Sequence, residues 1–226
     1  MEIPLCLQHI QKIINTTYSI KFQPGITMSI HKASKDLRYL LNHGYKKSYA
    51  VEFVSNHYQL PKKDRHFLVR SIFSDEDIQT TSQKKLPIQE ITGKEVAVDG
   101  FNVLITTEAV LRNEAIFCDD SVLRDVQGIF GKYKITKITE KALNKIFTVL
   151  ENYQPAKVTF YFDKQVSHSG DLCSKVRSQF PCETTNHVDL LLSNLNIITA
   201  TSDSILIQKL DHFIDIPFQI SLSKPL

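Results

Sequence analysis

The chain of 226 residues is 42% hydrophobic and 23% charged, enough apolar side chains for a real core and an ordinary charge content for a soluble protein. No apolar run approaches the roughly 18 residues that span a membrane. The start, Met1 to His9, lacks the basic n-region and apolar core of a signal peptide, so a cytoplasmic protein is expected. The net charge of +3 conceals an asymmetry: residues 1–90 hold 13 Lys/Arg against 8 Asp/Glu, and residues 91–226 hold 14 against 16. A basic module beside an acidic one fits a nucleic-acid grip attached to a metal site, although chance alone can produce an asymmetry of this size.

A helix containing Leu5, Leu7, Ile10, Ile13 and Ile14 is expected first, followed by a turn at Pro24-Gly25. Residues 29–73 read as three helices. Ser29 caps the first, whose apolar positions are Ala33, Leu37, Leu40 and Leu41, and Gly44 stops it. Ser48 caps the second, with Ala50, Phe53, Val54, His57 and Tyr58 on one face. Pro61 opens the third, which carries Phe67, Leu68 and Ile72. The short turn between helices allows a helix-turn-helix or a small helical packing module. Residues 74–92 are polar, with Asp75-Glu76-Asp77 and Thr80-Thr81-Ser82-Gln83-Lys84-Lys85, and have the composition of a linker. The expected division is a basic helical region over 1–75, a linker over 76–92 and an α/β domain over 93–226.

From Lys94 strands and helices alternate. Val96–Val98 is a buried-strand candidate, followed by a helix near Val103–Leu111. A strong amphipathic helix at Glu140–Tyr153, capped by Thr139, precedes the strand Val158–Phe162. A helix near Asp171–Phe180 leads to a strand at Cys182–Thr185. A helix over His187–Leu195 leads to the strand Ile197–Thr201. The helix Ser204–Leu210 precedes an edge strand near Ile214–Ile220, where Pro217 is tolerable only at an edge or bulge. Repeated β-α-β units of this kind give a parallel sheet with helices on both faces. Cys6, Cys118, Cys173 and Cys182 are scattered without a C-x-x-C pair, so free thiols are expected, and neither a zinc knuckle nor a disulfide.

Three strands end in or near an aspartate: Asp99, Asp163 and Asp203. A fourth acid, Asp189, falls in the first turn of an apolar helix. In open parallel sheets ligands bind beyond the carboxyl ends of the strands, and carboxylates gathered there suit a hard divalent cation such as Mg²⁺ or Mn²⁺. Such ions activate water and stabilise the leaving oxygen in phosphodiester cleavage. Taken singly, Asp189 and Asp203 read equally well as helix N-terminal residues. The segment His168-Ser169-Gly170-Asp171 reads either as a phosphate-binding loop at a helix N-terminus or as an ordinary cap at Ser169. No G-x-G-x-x-G, Walker loop, H-E-x-x-H or G-x-S-x-G is present. Phe101, Tyr161 and Phe162 read as core rather than as base-stacking platforms.

The segments Val98-Asp99-Gly100-Phe101-Asn102, Tyr161-Phe162-Asp163, Val188-Asp189-Leu190-Leu191-Leu192 and Ile198-Thr199-Ala200-Thr201-Ser202-Asp203-Ser204 resemble the PIN-like nuclease superfamily, particularly its NYN branch. The resemblance covers about residues 94–220. The whole chain also resembles a family of prokaryotic uncharacterised proteins that pair a short helical region with such a domain. The N-terminal pieces of that likeness are Asp36 to Tyr45 and Tyr58 to Arg65. The resemblance implies a Rossmann-like PIN fold and a metal-dependent ribonuclease. Asp99 would be the central metal ligand, Asn102 would orient a water or phosphate, and Asp163, Asp189 and Asp203 would complete an acidic cup. Asp120 or Asp125 is the candidate for a further acid, and Arg124 the candidate for holding the scissile phosphate bidentately. The stretch around them reads alternatively as a solvated acidic loop.

RNA is the expected partner, gripped through Lys46, Lys47, Lys62 and Lys63. A homodimer is compatible with the sequence and a membrane is not. The alternatives to a ribonuclease are a nucleic-acid-binding protein without turnover and a phosphohydrolase of small nucleotides.

Overall fold

The computed structural model describes residues 28–125 and 133–223. The expected helix at Leu5–Ile14, the turn at Pro24-Gly25 and Cys6 lie outside the described residues. The chain divides into two units, one ending at Glu76 and the other beginning at Asp77.

The first unit holds helices α1 (Met28–Asn42), α2 (Lys47–His57) and α3 (Lys62–Ser71). Ile30, Ala33 and Leu37 of α1, Ala50, Val51 and Val54 of α2, and Phe67 and Leu68 of α3 are buried. Gly44 ends α1 with a positive φ of 78°, a conformation glycine adopts without a Cβ penalty. The second helix differs from expectation. Its buried face is Ala50, Val51, Val54 and Ser55, while Phe53 stands outside it at 67% exposure. Lys46 takes the N-cap position, not Ser48. Asn42 clamps the chain beyond α3: its Nδ2 donates to Asp75 Oδ2 at 2.7 Å and its Oδ1 accepts from the Asp75 N–H at 2.8 Å.

Residues expected to form a linker are ordered secondary structure. Helix α4 spans Asp75–Lys84 and a 3₁₀ turn spans Ile88–Ile91. Helix α4 buries only Thr81, so its sequence shows no apolar stripe and composition alone reads as linker.

The second unit contains a five-stranded sheet: β1 (Glu95–Asp99), β4 (Lys157–Asp163), β5 (Cys182–Thr185), β6 (Ile198–Ala200) and β7 (Phe213–Ile214). The order is β5-β4-β1-β6-β7 and every pairing is parallel. A separate antiparallel pair, β2 (Ile116–Phe117) with β3 (Leu123–Arg124), makes a hairpin. Parallel strands need crossovers, and helices supply them: α5 (Gly100–Arg112), α6 (Lys137–Tyr153), α7 (Ser169–Val176), α8 (Val188–Asn194) and α9 (Ser204–Lys209).

Strand alternation assigns the two faces. Val96, Val98, Phe160 and Phe162 pack with Val103 and Leu104 of α5, Leu143 and Ile146 of α6, and Leu172 of α7. Ala97 and Tyr161 face the other way, against Val188 and Leu192 of α8 and Leu206 and Ile207 of α9. Phe101, Tyr161 and Phe162 are therefore buried core, as their pattern implies. The α6 cap is Thr136 rather than Thr139, and Thr139 serves as the reciprocal partner of the capping box.

Two further expectations are corrected. The segment Ile214–Ile220 is not one edge strand: β7 stops at Ile214 and helix α10 spans Ile216–Leu222, with Pro217 in its first turn and Asp215 accepting from the Phe218 N–H at 2.9 Å. Proline's fixed φ suits that first turn. Cys173 and Cys182 are joined as a disulfide with Cα atoms 5.5 Å apart, so they are not free thiols. They are nine positions apart in sequence, but α7 folds back onto β5 and brings them together in the core. Cys118 is free and buried, and burial pushes its thiol up to about 11. None of the described helices is long and apolar enough to cross a membrane.

Candidate active site

Chain connections leave the centre of the sheet in opposite directions. From β1 the chain moves outward through β4 to β5, then returns to β6 on the other side of β1 and continues to β7. The crevice between the carboxyl ends of β1 and β6 is therefore a topological switch point, where open α/β sheets bind ligands. Asp99 is the last residue of β1, and Asp203 lies three residues beyond β6.

Asp99 is also the residue before α5, and the motif that follows it has a packing reason. A Cβ on Gly100 would lie 2.6 Å from the Phe162 ring, so only glycine lets α5 start this close to β4. Asn102, in the first turn of α5, then faces the loop after β6. Its Oδ1 accepts from the Ser202 N–H at 2.7 Å and the Ser202 hydroxyl at 2.8 Å. The Thr201 hydroxyl donates to Asp99 Oδ2 at 2.9 Å. Ser202 also contacts Thr106 of α5, with 3.2 Å between the hydroxyl oxygens. Asp203 caps α9, accepting from the N–H groups of Ile205 and Leu206, both at 2.8 Å.

Burial sets the electrostatics. It raises the Asp99 carboxyl from its ordinary 3.8 to about 7; the Thr201 hydrogen bond opposes this, and the Asp203 and Asp189 charges add to it. Asp189 sits on the first turn of α8. Its carboxyl is raised by partial desolvation and then by Asp203, with Lys209 opposing and Asp163 adding. Asp163, at the end of β4, is half-buried and accepts from the Gln165 N–H at 2.8 Å. Asp99, Asp189 and Asp203 thus lie within one another's fields at the carboxyl ends of the strands, and Asp163 acts on Asp189. A cleft of about 700 Å³ lined by Lys94, Glu95, Asn196 and His212 lies at the opposite edge, where β1 begins, and is separate from them.

Among the described residues, no group of three or more His, Cys, Asp or Glu side chains is placed to hold one metal ion together. Magnesium commonly takes only one or two carboxylates and keeps several waters, so Asp99 with Asp203 or Asp189 fits it in number and in ligand type. Burial is the main cause of the raised Asp99 carboxyl, and the smaller repulsion that Asp203 and Asp189 add is of the kind a divalent cation relieves.

The hairpin residues have other work. The Arg124 guanidinium is buried and bidentate on Asp120, at 2.7 and 2.6 Å, while its Nε donates to the Ser202 carbonyl at 2.8 Å. Its fork therefore faces a carboxylate and not a phosphate, and Asp120 is already neutralised. What Arg124 does is hold the Thr201-Ser202-Asp203 loop from behind. Asp125 is buried beside it in sequence. Ser169 is buried too. Its N–H donates to the Val166 carbonyl at 3.3 Å, and His168, in the left-handed region at φ 64°, takes the cap position of α7. Ser169 is thus the first residue of α7 and not its cap.

Lys46, Lys47, Lys62 and Lys63 belong to the first unit. Lys46 Nζ stands 5.6 Å from the Tyr49 ring centre, and Lys47 Nζ is 3.7 Å from that of Phe73. Lys62 and Lys63 open α3 and are exposed. Sequence reasoning assigned no role to Thr201 or Ser202, whose hydroxyls organise Asp99 and Asn102. The signal available was their place in the Thr-Ser-Asp-Ser run beyond a strand end.

Residues 88–219 match the family described as domain of unknown function DUF5616, and residues 29–84 match the protein of unknown function DUF434. An uncharacterised protein of Methanocaldococcus jannaschii is 40% identical over 189 residues, covering 80% of this chain and 90% of the relative. No solved structure matches the chain. With more than half of its residues in the first of these matches, the chain belongs to the family of the domain of unknown function DUF5616.

Proposed function

We propose that the α/β unit is a PIN-like, metal-dependent ribonuclease that hydrolyses RNA phosphodiester bonds at the carboxyl ends of β1 and β6. The observation that carries this reading is the buried Asp99 carboxyl, raised to about 7 and set at the switch point within the fields of Asp203 and Asp189. Asp99 and Asp203, with Asp189 and Asp163 around them, would hold Mg²⁺ or Mn²⁺, whose chemistry is water activation and neutralisation of the leaving oxygen. The chain's own residues do the positioning. Thr201 orients the Asp99 carboxylate, and Ser202 fixes Asn102 by its Oδ1. The Asn102 carboxamide is thereby oriented with its NH₂ group as the donor for a phosphate oxygen or a water. Arg124 holds the loop that carries these groups.

The test is incubation of the purified protein with a mixed RNA pool in Mn²⁺. Cleavage that stops with a chelator and is lost in Asp99→Asn supports the reading. Intact RNA, or equal cleavage by the variant, overturns it. A second reading, an RNA-binding protein without turnover, is favoured by the exposed Lys46, Lys62 and Lys63 of the first unit, which can supply binding without chemistry. RNA binding without cleavage in the same assay selects it.

A further inference from the structure

The first unit exposes large aromatic rings that its core does not use. Tyr39 is 63% exposed, Tyr45 58%, Tyr49 66% and Phe53 67%. They are connected. Tyr49 and Phe53 are four residues apart on α2 and so share a face, and Lys46 lies over the Tyr49 ring from the start of the same stripe. Phe53 lines a cleft of about 210 Å³ with Tyr39 and Leu40 of α1. Tyr39 stacks on His43 with ring centres 4.1 Å apart, and Lys35 lies one turn before Tyr39. Exposed apolar patches of this kind mark interaction surfaces.

Charge indicates what covers it. Between residues 28 and 60 there are five Lys/Arg (Lys32, Lys35, Arg38, Lys46 and Lys47) and two acids, Asp36 and Glu52. One of those acids, Asp36, accepts from the Tyr58 hydroxyl at 2.6 Å. Rings interleaved with cations suit a polyanion that carries flat, unpaired bases. Stacking takes the bases and ammonium groups take the phosphates.

We infer that the outer face of α1 and α2 binds single-stranded RNA, its bases stacked on Tyr39, Tyr49 and Phe53 and its phosphates on Lys35 and Lys46. The choice of RNA rests on the ribonuclease reading above. The surface itself is argued from rings and charge in the first unit alone.

The experiment is fluorescence anisotropy of a 5′-labelled oligouridine with the full chain in chelator, which separates binding from cleavage. Wild type should bind the single strand at least tenfold more tightly than an RNA duplex of equal length, whose bases are already stacked. Tyr49→Ala with Phe53→Ala should weaken single-strand binding at least tenfold, since each lost stack is worth roughly a factor of five or more. Tyr49→Phe with Phe53→Tyr keeps both rings and should bind as wild type does, which separates loss of rings from loss of fold. No binding by wild type, equal binding of duplex, or unchanged binding by the alanine variant each overturns the inference. So does tighter binding of the deoxy single strand, which would assign the surface to DNA. Unchanged RNA binding with altered self-association in light scattering would assign the patch to a second copy of the chain. Binding that follows these rules without cleavage in Mn²⁺ removes the ribonuclease reading and leaves this one standing. Cleavage without dependence on the rings does the reverse.

Discussion

Thr201, one residue past β6, donates its hydroxyl to the Asp99 carboxylate at the end of β1, with 2.9 Å between the oxygens. The two residues are 102 positions apart in sequence and meet because β1 and β6 pair in parallel. This bond holds the acid in place and also opposes the burial that raises its pKa.

A pH dependence follows. Asp99 releases its proton at about 7 when folded and near 3.8 when unfolded. The native state therefore binds more protons than the unfolded state across that window, and stability falls as pH rises through it. Above about 7 the loss is complete, on the order of 4 kcal/mol for a shift of this size. In chelator, Asp99→Asn should melt with wild type at pH 4 and progressively above it towards pH 7.5. The expected gap there is on the order of 10 °C. Melting curves that stay parallel across this range would show that Asp99 is not held neutral by its surroundings.

Gly100→Ala should destabilise the α/β unit without touching a carboxylate. The added methyl meets the fully buried Phe162 ring, and overpacking costs roughly 1–3 kcal/mol. Urea titration reads the loss directly. Combining it with Phe162→Leu should recover part of it, because the smaller side chain makes room. A Gly100→Ala protein as stable as wild type would mean that α5 can shift away from β4.

Arg124 and Asp120 form a buried pair with side chains 5% and 1% exposed. Removing one partner leaves an unpaired buried charge and costs roughly 3–5 kcal/mol, whereas an apolar pair can be close to neutral. Asp120→Leu and Arg124→Met should each lower stability strongly in urea, and the double variant should lose less than their sum. Additive losses would show that the two charges do not depend on each other.

Lys46, Lys62 and Lys63 are the exposed cations expected to reach phosphates. Each phosphate contact to a single strand contributes about −0.7 to the slope of log affinity against log salt. Replacing all three by Ala should flatten the RNA-binding slope by roughly 2 units. Lys47 is left out because its ammonium covers the Phe73 ring and its loss would disturb packing. Coincident slopes would assign these lysines to solvent.

The sequence by itself determined the α/β alternation, the strands at Val96–Val98, Val158–Phe162 and Cys182–Thr185, and the acids at the strand ends. Those features are local: a β-branched or aromatic run ends where a helix-starting residue appears. It also determined Gly44 as a helix stop, because a positive φ selects glycine. It did not determine which polar residues are buried. Asp120 read as a candidate further acid and Arg124 as a candidate phosphate holder, or both as a solvated loop, yet the β2–β3 hairpin buries them against each other and turns Arg124 onto the Ser202 carbonyl. Nor did it show that Thr201 and Ser202 serve Asp99 and Asn102, since those contacts exist only once β6 inserts beside β1 on the far side from β4. Helical period alone placed Phe53 in the core, but the packing of α2 chose Ala50, Val51 and Val54 and left the ring outside. The disulfide has the same origin: Cys173 and Cys182 become neighbours when α7 packs back against β5. Local propensity sets which elements form; which side chains meet depends on strand order and on how the helices cover the two faces, and only tertiary packing decides those.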